Sequence, residues 1–153
     1  MKDDDNRIAY CGLYCGACGI YLATATDRLE EVAEQTGIPV EYQGCTGCRT
    51  DRNNLCCMNC GIKRCCLYKG LGSCAECDEF PCSVLEAFDK DRHPHHTGVI
   101  GSLQLLAGSG QEQWLNIHQQ RWCCPQCATP FHWYQEHCES CGKEVKAYKL
   151  HDI

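Results

Sequence analysis

The chain has 153 residues, enough for one ordinary domain or two very small ones, and 18 of them are cysteine, far above average usage. Its formal charge of −6 argues against a nucleic-acid partner, and three Phe, three Trp and two Met supply little for a conventional core. The longest apolar stretch, Val99 to Ala107, is broken by Gly101, Ser102 and Gln104 and falls far short of the roughly 20 residues a bilayer needs, which excludes a membrane helix.

The opening MKDDDNRIAY is acidic and has no apolar run, so no secretory leader is expected and the protein is expected to be soluble and cytoplasmic. In that reducing setting, closely spaced thiols serve as metal ligands or catalytic groups rather than as structural disulfides. Metal binding would also supply folding free energy that the sparse core lacks, on the order of 10 kcal/mol per structural zinc.

The cysteines are unevenly distributed: 13 fall in residues 1–92, none in 93–121 and five in 122–153. The expected organisation is a cysteine-rich metal-binding region over 1–92, a helical connector over 93–121 and a zinc-ribbon-like unit over 122–153.

In chain order, the first predicted helix begins with Asp27 and Glu30 in capping-box spacing, has Leu29, Val32 and Ala33 on one face, and closes at Gly37 and Pro39. A second has Pro81 in its first position and Cys82 in its first turn, with Val84, Leu85 and Phe88 forming the apolar face. Between 97 and 120, Val99, Ile100, Leu103 and Leu106 repeat helically, Gly108 breaks the run, and Ser109 with Glu112 restarts it toward Trp114, Leu115 and His118. In the tail, Phe131 to Tyr134 and Val145 to Leu150 read as two strands. The expected fold class is therefore small α+β, metal-stabilised, with short helices around cysteine knuckles and a C-terminal zinc-ribbon-like β-hairpin.

Six pairs have the spacing CxxC: Cys15 with Cys18, Cys45 with Cys48, Cys57 with Cys60, Cys74 with Cys77, Cys124 with Cys127, and Cys138 with Cys141. Two intervening residues let both sulfurs face one ion, and two such knuckles complete a tetrahedral four-thiolate shell. The tail, with CPQC and CESCG separated by ten residues, is the clearest candidate. The same shell also accepts iron. His132 and His137 lie inside this loop but face a shell that four cysteines already fill.

The first region supplies Cys11, Cys15, Cys18, Cys45, Cys48, Cys57, Cys60, Cys65, Cys74, Cys77 and Cys82 as candidate ligands for two or three possible further sites, and sequence order leaves their grouping open. Cys11, Cys15 and Cys18 have the CxxxCxxC spacing with which radical enzymes hold a four-iron cluster. Those enzymes need a long α/β barrel and usually place an aromatic where Ala17 stands. A bacterial-ferredoxin run is absent; the nearest approach, Cys74, Cys77 and Cys82, has the wrong intervals. Thiol redox catalysis would need a βαβ context, which these pairs lack. His93, His95 and His96 could complete a mixed shell, but no CxxC accompanies them, and the turn reads as solvated.

With these motifs assembled, the chain resembles a cysteine-rich bacterial and archaeal family known as domain of unknown function 3795. The matching stretches are CGLYCGACGIYLA from Cys11, GCTGC at 44–48, CMNCGIKRC at 57–65 and KGLGSCAECDEFPC at 69–82, with Trp114, Leu115 and Trp122 leading into a cysteine-pair tail as in longer members. The resemblance implies zinc binding and no reaction, and it leaves Cys56, Cys66 and Cys123 as extras beside matching cysteines.

No nucleophile with a base, carboxylate pair or phosphate loop is recognisable, so an enzyme is not the leading expectation. Three four-thiolate zinc sites would take the charge from −6 to −12, and the basic cluster Lys143, Lys146 and Lys149 is too small to reverse it. The reading is a cytoplasmic protein binding two to three zinc ions, a metal-stabilised module whose partner is another protein. The alternative is an iron protein, rubredoxin-like or carrying an iron–sulfur cluster, that transfers electrons.

Overall fold

The computed structural model of the chain describes residues 6–149. Six α-helices stand out among the described residues: α1 (Gly19–Ala25), α2 (Leu29–Thr36), α3 (Leu55–Met58), α4 (Gly61–Lys69), α5 (Ser83–Asp89) and α6 (Val99–Arg121). Short 3-10 turns at Cys15–Ala17, Val40–Tyr42, Cys74–Glu76 and Pro94–His96 link them.

The expected α+β class is overturned: no β-strand forms among the described residues, and the tail contains only the isolated bridges Cys123 to Pro130 and His137 to Glu144. Each bridge closes over a cysteine knuckle and stops there. Pro130 has no N–H to extend the first, and the aromatic run turns at Trp133 and Tyr134 instead of staying extended. The two expected strands meet through the Tyr148 N–H donating to the Trp133 carbonyl at 2.7 Å, without a ladder. Leu150, assigned to the second strand, lies outside the described residues.

The N-terminal segment folds into a tight turn, with Ile8 bridged to Tyr14 and the Ala9 N–H donating to the Leu13 carbonyl at 3.0 Å. Gly12 makes this turn possible: its φ is +88°, and a Cβ there would stand 2.7 Å from Leu103 Cγ. The turn is thereby pressed against α6.

Helix α2 ends at Gly37 in the left-handed conformation (φ +71°), as its sequence requires, but the capping box does not form. Arg28 is the N-cap, and Asp27 takes a positive φ of 56° that points the chain into the helix from outside it. Helix α5 begins two residues later than Pro81 would suggest, at Ser83 with Cys82 as N-cap; Leu85 is buried while Val84 faces solvent.

Helix α6 is two helical arms joined at Gly110, whose φ of 80° and ψ of 169° leave the helical region; the break falls there rather than at Gly108. Trp114 Nε1 donates to the Ser102 carbonyl at 3.0 Å, and Ser102 Oγ lies 3.4 Å from His118 Nε2. Sixteen residues of straight helix would hold Ser102 and His118 ~24 Å apart. The arms therefore fold back on each other as a helical hairpin.

One core runs through the molecule. Trp114, Leu103 and Leu85 pack with Ile8, Ala17 and Tyr14 from the N-terminal segment and with Trp122, Phe131 and Val145 from the tail. The Trp133 N–H donates to the Ala17 carbonyl at 3.0 Å, Arg28 pairs with Glu139 at 2.8 Å, and His95 stacks on Trp133 at 4.2 Å. Arg49 ties the other side together: its guanidinium covers Tyr10 at 4.6 Å and donates to the Ile8 and Gly72 carbonyls. No helix among the described residues is long and apolar enough to cross a membrane.

Candidate metal centre

The tail builds its site from two loops of the same design. In each, the amide of the first cysteine donates to a carbonyl five residues on, Cys124 to Thr129 at 2.9 Å and Cys138 to Lys143 at 2.8 Å. The carbonyl of that cysteine then accepts from the residue after the second cysteine, Ala128 at 2.8 Å and Gly142 at 2.9 Å. This closure needs a left-handed residue after the knuckle, and both Ala128 (φ 61°) and Gly142 (φ 75°) adopt it.

The loops face each other sulfur to sulfur. Cys124 Sγ lies 3.6 Å from Cys141 Sγ, Cys127 Sγ lies 3.5 Å from Cys138 Sγ, and all four sulfurs fall within 4.8 Å of one another. A tetrahedron with metal–sulfur arms of about 2.3 Å has edges of about 3.8 Å, so the quartet can hold one metal ion with little movement. Cys124 and Cys138 are buried and Cys127 and Cys141 exposed, which makes the site a rim feature closed by its own four ligands. Thr129, through its hydroxyl 3.2 Å away and its amide, pulls the Cys127 thiol down to about 6, favouring the thiolate a metal needs.

Neither tail histidine joins this group. His132 Nδ1 accepts from the Tyr134 amide at 3.2 Å, and the His137 carbonyl accepts from Gln135 Nε2 at 2.8 Å. Cys123 points elsewhere as well: its thiol donates to the Gln120 carbonyl at 3.5 Å, at the end of α6.

In the first region, seven of the predicted ligands are electrostatic neighbours. Cys48 faces Cys11, Cys15 and Cys60, while Cys57 faces Cys18, Cys45, Cys48 and Cys60. Local turns present them: the Cys18 amide donates to the Cys15 carbonyl at 3.0 Å, the Cys60 amide to the Cys57 carbonyl at 3.3 Å, and the Gly47 amide to Cys45 Sγ at 3.4 Å. Burial pushes the Cys11, Cys15 and Cys18 thiols up, opposed by backbone amides set against each sulfur: Leu13 at Cys11, Cys48 at Cys15, and Tyr21 with Ile20 at Cys18. These sulfurs are spaced more widely than the tail quartet, since no three of them fall within the same 4.8 Å limit.

The remaining predicted ligands adjoin this group, since Cys74 is an electrostatic neighbour of Cys11 and its amide donates to the Tyr10 carbonyl at 2.9 Å. Cys74 and Cys77 flank a 3-10 turn closed by the Cys77 amide on the Cys74 carbonyl at 3.2 Å, and Cys82 caps α5. Cys65 faces solvent, whereas Cys66, treated from sequence as an extra, is buried with its sulfur 3.6 Å from Cys74 Sγ. The signal for Cys66 was its helical spacing from Ile62, four residues earlier, which places both on the buried face of α4.

Sequence reading also passed over Asp91. Its carboxylate lies 2.6 Å from His96 Nδ1 and 3.3 Å from His93 Nδ1, and the three ligand atoms fall within 4.8 Å of one another. His95 turns away from this group toward Tyr134, whose hydroxyl is 2.5 Å from its Nδ1, and burial holds its pKa at about 3. No cysteine completes a mixed shell there.

Compared with known proteins, residues 7–87 match the sequence model of the family described as protein of unknown function, DUF3795. No curated protein and no solved structure matches the chain.

Proposed function

We propose that this chain, which belongs to the DUF3795 family of proteins of unknown function, is a metal-stabilised interaction module with zinc in its tail quartet and a protein as its partner. The observation that carries the reading is the quartet itself: four cysteine sulfurs at single-ion spacing, which no further His, Cys, Asp or Glu among the described residues joins within 4.8 Å. A closed four-thiolate shell holds structure together, whereas a catalytic zinc keeps a position for water. The tail has no strand ladder of its own, so an ion at the quartet would order it against the common core.

The interaction role is supported by apolar side chains that the fold leaves outside. Leu55 and Met58 on α3 and Leu67 and Tyr68 on α4 are exposed, Tyr68 at 93%. The negative charge of the chain, deepened by each four-thiolate ion, directs the partner away from nucleic acid. A reducing, cytoplasmic setting is part of the same reading, since it keeps the ligands as free thiols.

A second reading has its own observation. The seven neighbouring thiols of the first region exceed one ion's shell and stand farther apart than single-ion ligands do. A polynuclear cluster spreads its thiolates in this way because each binds a different metal atom. An iron–sulfur cluster there would make the protein an electron carrier.

Anaerobic purification without a metal-binding tag, followed by elemental analysis and a visible spectrum, separates the two. Stoichiometric zinc and a colourless protein support the interaction module; stoichiometric iron with charge-transfer bands replaces it with the second reading.

A further inference from the structure

The end of α4, the start of α5 and the loop between them bring five cysteines to the wall of one cavity of about 330 Å³: Cys65, Cys66, Cys74, Cys77 and Cys82. The sequence dictates how. Helix α4 ends at Gly70, left-handed at φ +67°, and the Leu71 amide returns to the Cys66 carbonyl at 2.9 Å, which reverses the chain. Ser73 then caps the 3-10 turn of the CAEC knuckle, and the Cys74 amide is held by the Tyr10 carbonyl at 2.9 Å. The reversed chain sets Cys74 Sγ 3.6 Å from Cys66 Sγ, the separation found between opposed sulfurs in the tail quartet. Lys69 places its ammonium 3.4 Å from Cys77 Sγ, where it offsets thiolate charge.

We propose that Cys66, Cys74, Cys77 and Cys82 form a second binding site for a thiophilic divalent ion, with Cys66, and not its neighbour Cys65, as the ligand from α4. Cys66 and Cys74 already stand at ligand spacing, while neither the Cys77 nor the Cys82 sulfur lies within 4.8 Å of both, so binding must draw Cys77 and Cys82 inward across the cavity. Cys65 also reaches the cavity wall, but it is exposed, while Cys66 is 2% exposed and faces inward. The inference rests on the reading above only in taking the same class of ion. It does not depend on the tail quartet.

The test uses the full chain, purified anaerobically and loaded with zinc, and compares zinc content in Cys66→Ser, Cys65→Ser and Cys124→Ser variants. Cys66→Ser is expected to lose one equivalent and Cys65→Ser none. Zinc retained by Cys66→Ser, or lost by Cys65→Ser, overturns the assignment. Loss in Cys124→Ser without loss in Cys66→Ser rejects this site and keeps the tail quartet; the reverse pattern keeps this site and rejects the quartet.

Because Cys66→Ser could perturb the core, alkylation of the unmutated protein provides a second measurement. With zinc bound, Cys65 should react with iodoacetamide while Cys66, Cys74, Cys77 and Cys82 are protected, and chelation should expose Cys74, Cys77 and Cys82 together. Cys74, Cys77 and Cys82 reacting at the same rates before and after chelation, or a Cys66–Cys74 disulfide in the zinc-loaded protein, refutes the site.

Discussion

Adjacent cysteines give the sharpest test of the tail quartet. Cys123 and Cys124 differ by one position, yet only Cys124 joins the four sulfurs, while the Cys123 thiol donates to the Gln120 carbonyl at 3.5 Å. A structural four-thiolate zinc site contributes roughly 10–16 kcal/mol in all, so one of four ligands carries about 3 kcal/mol, and its loss weakens affinity by 10²-fold or more. Cys124→Ser should therefore lower zinc affinity by at least that factor. Cys123→Ser removes one weak S–H contact from a partly exposed site and should change affinity less than about twofold. Competition against a chromophoric chelator, read with elemental analysis of the dialysed protein, measures both. Equal effects from the two substitutions, or a larger one from Cys123→Ser, would refute the geometric assignment.

Two further expectations follow from the knuckle backbone and from a buried ring. Ala128 occupies the left-handed position that Gly142 fills in the sister loop, so Ala128→Gly should stabilise the protein by about 1 kcal/mol and Gly142→Ala destabilise it by a similar amount, measured by denaturant unfolding at fixed metal content. His118 lies between Tyr14, stacked at 5.6 Å, and Trp114 at 4.0 Å, and burial, with Arg121 nearby, lowers its pKa to about 4. A base depressed in the fold adds stability that is fully present above its unfolded pKa near 6.5 and declines as pH falls toward 4. The partly exposed ring limits this to about 1–2 kcal/mol. In a proton NMR titration the His118 ring should stay neutral at pH 6; a midpoint near 6.5 would contradict the packing.

Of the six α-helices among the described residues, α2, α5 and α6 were marked in the sequence by period and punctuation, whereas α1, α3 and α4, which lie among the cysteine knuckles, were not anticipated. Gly37 ended α2 because only a left-handed residue closes that turn, and the apolar repeat from Val99 to Leu106 produced the first arm of α6. Their starts were less legible. Asp27 had the residue type and spacing of a cap, but the tight reversal out of α1 placed it at positive φ and moved the helix start to Leu29. The fold-back at Gly110 needed tertiary contacts, Trp114 and His118 on Ser102, that no local pattern encodes.

The tail misled for a related reason. Aromatic and β-branched residues favour strands when a partner offers a ladder, but here the backbone hydrogen bonds of each loop are consumed by its own knuckle. Phe131 and Val145 pack into the core, and Trp133 docks on Ala17, so these side chains are spent on docking rather than on cross-strand pairing.

Cysteine spacing marked candidate ligands without marking which of two adjacent sulfurs turns inward. The family resemblance preferred Cys65, because it completes CMNCGIKRC, whereas the helix rule prefers Cys66, because four residues separate it from Ile62 and only that face of α4 meets the core. The two rules conflict where a ligand sits on a helix rather than in a knuckle turn. A sulfur on a helix is aimed by the packing of the whole helix, so its hydrophobic register decides which of two adjacent sulfurs turns inward. The same argument separates Cys124 from Cys123 by a different route: Trp122 packs into the core, Cys123 finishes α6 by bonding back to Gln120, and Cys124 is the first residue free to begin the knuckle.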